Sequence, residues 1–155
     1  MACGSAAAPA APRGPTVASV AGVYTLRSVD GRALPAMVAD YDPVPMAVTA
    51  VRTLSADGTC REEGRYVVVR HGGPPPLPDT VAVYGAAGGP VMACTWALDG
   101  RTVKFTVVSS ALPVASYNPA TTASVADDGT LTELPTAPPM VSLNAYAVYP
   151  RVYGR

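Results

Sequence analysis

Most of the 17 prolines in this 155-residue chain fall in clusters at 9–15, 35–45, 74–78, 113–119 and 135–139. Proline inside a helix removes a backbone hydrogen bond and clashes with the preceding turn, so no helix of ordinary length fits across these breaks. The runs between them are short and rich in Val, Thr and Tyr, the residues that suit a pleated, half-buried surface. The pattern predicts strands at 18–29, 46–55, 59–70, 79–85, 91–98, 101–109, 121–126, 130–134 and 141–149. An all-β domain follows.

Asp-Gly occurs four times, at Asp30-Gly31, Asp57-Gly58, Asp99-Gly100 and Asp128-Gly129. Glycine takes positive φ at little cost and Asp tolerates it, so Asp-Gly between alternating segments signals a hairpin. A two-residue loop at Asp99-Gly100 sets Trp96 opposite Val103, Cys94 opposite Phe105 and Met92 opposite Val107, an apolar face. Thr95, Thr102, Lys104 and Thr106 take the other face. A three-residue loop at Ala56-Asp57-Gly58 pairs Val48 with Tyr66, Leu54 with Cys60 and Arg52 with Glu62. Successive hairpins make an antiparallel up-and-down meander, and about eight strands with one apolar face close into a small barrel; a two-sheet β-sandwich is the alternative. Gly85 to Pro90 reads as a hairpin connection.

The run from Gly22 through Arg27, Asp30 and Gly31 to Pro35 resembles bacterial lipocalin-like lipoproteins. So do Leu54-Ser55-Ala56-Asp57-Gly58-Thr59 with Tyr66-Val67-Val68, and the stretch from Thr95 and Trp96 to Phe105 and Thr106. The likeness covers most of residues 20–110. It implies a calycin-type barrel at the cell envelope and carries no established ligand or activity with it. Cys60 and Cys94 depart from the pattern, standing where an aromatic and a glycine are expected.

Ala2-Cys3-Gly4-Ser5 has the form of the junction at which bacterial lipoproteins are cleaved and lipidated, a junction that a charged segment and an apolar core should precede. On this reading residues 1–16 are an Ala/Pro-rich disordered tether with a lipid on Cys3, and 17–155 form one barrel domain. The other reading of Cys3 is an ordinary thiol. Cys60 and Cys94 then form an even pair in an oxidising compartment. With the 79–85 strand between theirs, however, they would lie two strand spacings apart, about 9.6 Å, too far for a disulfide. Buried thiols are expected.

Lys+Arg and Asp+Glu both number 11, which leaves no charge footprint for nucleic acid or an anionic membrane surface. His71, the single histidine, precedes Gly72-Gly73 without a nucleophile elbow and reads as an exposed loop residue beside Pro74-Pro75-Pro76-Leu77-Pro78. One histidine and separated cysteines make no zinc site, and Asp127-Asp128 reads as a solvated turn. No catalytic constellation, cofactor or metal is expected. What remains is the interior, where Tyr24, Leu26, Tyr66, Trp96, Phe105 and Tyr149 are expected to point with the charged Arg52 and Glu62. Those two are the only charged residues assigned inward, as a structural pair near the barrel end or as a handle for a ligand head group. An eight-stranded barrel is either filled by its side chains or holds one small ligand. The sequence leaves two readings open: an envelope-tethered monomer carrying a small apolar molecule, and a packed structural or protein-interaction module without a ligand. The expected location is the bacterial cell envelope, lipid-anchored or periplasmic and secreted, touching the membrane only through Cys3.

Overall fold

The computed structural model describes residues 14–40, 44–72, 78–85, 90–112, 121–135 and 147–155. Eight antiparallel strands form the barrel: β1 (Gly22–Val29), β5 (Val44–Leu54), β6 (Thr59–Arg70), β8 (Pro90–Asp99), β9 (Thr102–Ser110), β10 (Thr121–Val125), β11 (Leu131–Pro135) and β13 (Arg151–Gly154). Each pairs with the next in that order. The C-terminal β13 then returns to β1 and closes the ring, Leu26 opposite Tyr153. Because β1 pairs with both β5 and β13, the sheet has no open seam there, and the two-sheet alternative is set aside. The short strands β2 (Arg32–Ala33) and β3 (Ala36–Met37) extend β1 and β5. A separate ladder joins β4 (Ala39–Asp40) to β12 (Ala147–Val148).

Strand alternation builds the core. Along β5, Ala50, Arg52 and Leu54 are buried while Val51 and Thr53 are only half-buried. Along β8 and β9, Trp96, Val103 and Phe105 are buried and Thr95, Lys104 and Thr106 are exposed, the faces expected from the sequence.

Two registers differ in detail. At the β8–β9 turn the loop is Gly100-Arg101, so Asp99 faces Thr102, Trp96 faces Phe105 and Cys94 faces Val107. Gly100 has φ +60°, which puts the glycine at the first central position of the turn and not the second. The offset is two residues in the pairing sum, so every side chain keeps its face. The Ala56-Asp57-Gly58 loop does have three residues, with Gly58 at φ +85° and Ser55 N–H donating to Thr59 O at 2.9 Å. Leu54 faces Cys60 and Arg52 faces Glu62 as expected, but a bulge between Ala47 and Thr49 sets Tyr66 against Ala47 in place of Val48.

The cysteines overturn the expectation of free thiols. Cys60 and Cys94 form a disulfide, with Cα atoms 4.8 Å apart. The error lay in placing a strand between them. That strand, β7 (Thr80–Tyr84), pairs only with the Tyr66–Arg70 half of β6, while β8 pairs directly with the Thr59–Glu63 half. β7 and β8 therefore run in the same direction along one edge of β6, and Gly85–Pro90 is no hairpin connection. Close approach enforces the break: a Cβ on Gly85 would fall 1.7 Å from the Gly64 carbonyl oxygen.

Both chain ends also differ from expectation. The expected first strand begins as α1 (Val17–Val20), a single turn capped by Thr16 and Ser19 in a reciprocal box, before β1 starts at Gly22. The closing strand is Arg151–Gly154 and not 141–149, of which residues 141–146 lie outside the described residues. Cys3 and most of the expected tether lie outside them as well. Among the described residues no helix is long and apolar enough to cross a membrane.

Candidate functional site

The alternation that buries Ala50 and Leu54 leaves Arg52 no choice but to point inward. Its partner Glu62 is fixed the same way between Cys60 and Tyr66. Sequence reasoning found this pair and missed the second, Glu133 on β11 and Arg151 on β13, which face each other across their own ladder. All four are buried, at 1, 0, 1 and 2 % exposure for Arg52, Glu62, Glu133 and Arg151. The signal was present. Leu131 sets the phase that turns Glu133 inward, and Tyr153 does the same for Arg151.

The two cross-strand pairs meet over β1. Arg52 Nε donates to Glu62 Oε2 at 2.9 Å, and Nη2 donates to the same oxygen. Arg52 Nη1 lies 3.0 Å from Glu133 Oε2, and Arg151 Nη2 lies 3.1 Å from Glu133 Oε1. The Tyr153 hydroxyl donates to Glu62 Oε2 at 2.9 Å and the Tyr66 hydroxyl to Glu62 Oε1. The Arg52 guanidinium carbon lies 4.9 Å from the centre of the Phe105 ring and 4.8 Å from that of Tyr153. Charges alternate along the chain Glu62, Arg52, Glu133, Arg151 and sum to zero. Burying an ion costs several kcal/mol unless pairing and hydrogen bonding compensate, and here partners surround each guanidinium and carboxylate. Burial pushes the Tyr153 phenol well above its ordinary pKa, so it keeps its proton and its role as donor at neutral pH.

The remaining expected lining residues are also inside. Tyr24, Leu26, Tyr66, Trp96 and Phe105 are buried, whereas Tyr149 is half-buried and packs on the core from beyond β12. Trp96 Nε1 donates to Ser55 O at 2.9 Å, and the Tyr24 hydroxyl donates to Val20 O. A side chain lining a water-sized void would keep accessible surface, yet Tyr24, Tyr66 and Tyr153 retain 0 %. The structure thus brings seven of the eight expected residues together as packed core.

A cleft of about 310 Å³ lies elsewhere, between α1, the turn at Asp127, Asp128 and Gly129, and Arg155. None of the eight expected residues lines it. The polar turn groups are locally satisfied: Asp127 pairs with Arg101, and Asp128 accepts from Thr130 N–H at 2.8 Å. His71 is exposed and sits 3.2 Å from Asp79, whose carboxyl the Gly72 N–H and the imidazole hold below its ordinary pKa. Among the described residues no three His, Cys, Asp or Glu side chains are grouped to hold a metal ion. Compared with protein-family models, curated proteins and solved structures, the chain matches none, so its functional reading rests on this geometry.

Proposed function

We propose that this chain is an extracytoplasmic barrel module with a filled interior, tethered to the bacterial envelope through a lipid on Cys3 and acting through its outer surface on another protein. One observation carries the reading: the lumen is occupied by the chain's own side chains, where Arg52, Glu62, Glu133 and Arg151 neutralise one another between Phe105, Tyr66 and Tyr153. A carrier of apolar molecules needs an apolar void, and an ion network with no accessible surface is a poor lining for one. For the same reason the reading is non-enzymatic, since no substrate reaches these groups. The Cys60–Cys94 disulfide supports an oxidising compartment, where such bonds form and persist.

Native mass spectrometry of protein purified from its own host tests the reading. The expected interior-derived signal is none: after any lipid on Cys3 is accounted for, the mass per chain equals that of the polypeptide. A non-covalent adduct of lipid size at one copy per chain would contradict it and favour the carrier.

A further inference from the structure

The outer surface of the barrel exposes Arg61 on β6 and Thr95, Lys104 and Thr106 on β8 and β9, with exposed valines at Val23 on β1 and Val108 on β9. It changes character where β7 joins the sheet. There the pairing aligns two outward rows of three apolar residues each: Val44, Val69 and Val81 in one, Met46, Val67 and Val83 in the other. Val81 is 62 % exposed and Val83 45 %. Thr80 and Ala82 are exposed too, so β7 projects past the core on both faces.

Among the described residues β7 pairs with β6 alone. No described strand pairs with its other edge, whose backbone N–H and C=O groups offer a template for another strand. Natural edges are usually blunted by Lys, Pro, inward charges or a bulge, and Thr80-Val81-Ala82-Val83-Tyr84 carries none of these. The segment is also complementary to itself. Turned antiparallel about Ala82, it sets Val81 against Val83 of the second copy, Val83 against Val81 and Thr80 against Tyr84, with no charged side chain in the segment facing its like.

We infer that β7 is a self-association edge through which two copies of this chain join into one continuous sheet about a two-fold axis at Ala82. This goes beyond the reading of the interior and does not depend on it, and it is the alternative to the monomer expected from the sequence. The two-fold carries the apolar rows across the axis, so the exposed valines of both copies cover each other. Five residues of strand span roughly 17 Å, so the contact is short and its occupancy depends on protein concentration.

Sedimentation velocity on the full chain from about 1 to 200 µM should show the mass rising from that of the 15.8 kDa monomer towards twice that value. Val81→Lys combined with Val83→Lys sets like charges opposite each other twice and should hold the protein monomeric throughout. Val81→Lys combined with Val83→Glu sets opposite charges in the same two places and should restore the dimer. Both positions are exposed, so neither variant disturbs the core. A wild-type chain monomeric at 200 µM overturns the inference, as does a dimer that responds alike to both double variants. Neither result bears on the native-mass test of the lumen.

Discussion

Arg52→Met should lower stability by about 3–5 kcal/mol, because the guanidinium joins Glu62 to Glu133 and its loss takes the counter-charge from Glu62 in a dry interior. For a domain of this size that corresponds to a fall in Tm of roughly 10 °C or more. The cost is that of an uncompensated charge, not of lost packing, and a second substitution separates the two. Arg52→Met with Glu62→Gln removes one charge of each sign, keeps an acceptor for one of the two tyrosine hydroxyls while its amide N–H can donate to the other, and leaves Glu133 paired with Arg151. The double variant should recover at least half of the loss in chemical denaturation. A single variant within about 1 kcal/mol of wild type, the range of exposed ion pairs, would mean that the network is not buried as described.

The second large effect is expected at the disulfide. Cys60 and Cys94 are 34 residues apart in sequence, and on the chain-entropy account closing a loop of that length contributes roughly 3–4 kcal/mol. Cys60→Ala with Cys94→Ala should lower the urea midpoint accordingly. Reductant should move the wild-type midpoint in the same direction and leave the double variant unmoved. A wild-type midpoint indifferent to reductant, with the thiols shown to be free, would contradict the bridge.

Much of the fold was legible because the strand period is two and the turns are marked. Asp57-Gly58 fixed a hairpin whose Leu54–Cys60 and Arg52–Glu62 pairs are those observed, and Trp96 and Phe105 fell on the buried face even though their register moved. The failures share a cause: each needed knowledge of which strands are neighbours. Nothing local distinguishes a strand that lies between β6 and β8 from one that shares an edge with β8, and the disulfide turns on that difference. Gly85 was the available clue, since a side chain there would run into the Gly64 carbonyl of β6.

The second ion pair was missed for a related reason. With the closing strand placed at 141–149, Arg151 and Tyr153 lay outside the barrel, and Glu133 had no visible partner. The alternation Leu131, Glu133 and then Arg151, Tyr153 is as regular as that of Ala50, Arg52 and Leu54, but a buried charge is recognisable only beside its counter-charge. Once β13 closes the ring, a lining that looked like one polar handle among aromatics becomes a neutral four-charge plug. That is what moves the functional reading from the interior of the barrel to its surface.

The central claim is that the lumen is filled, and Trp96, the sole tryptophan and an inward residue of β8, reports on it directly. Titration with an apolar naphthylamine probe, followed through Trp96 emission, should find the emission blue-shifted at the start and unchanged at the end, with no saturable rise in probe fluorescence. Saturable binding of one probe per chain that moves the Trp96 emission would contradict the account and place a ligand cavity inside the barrel.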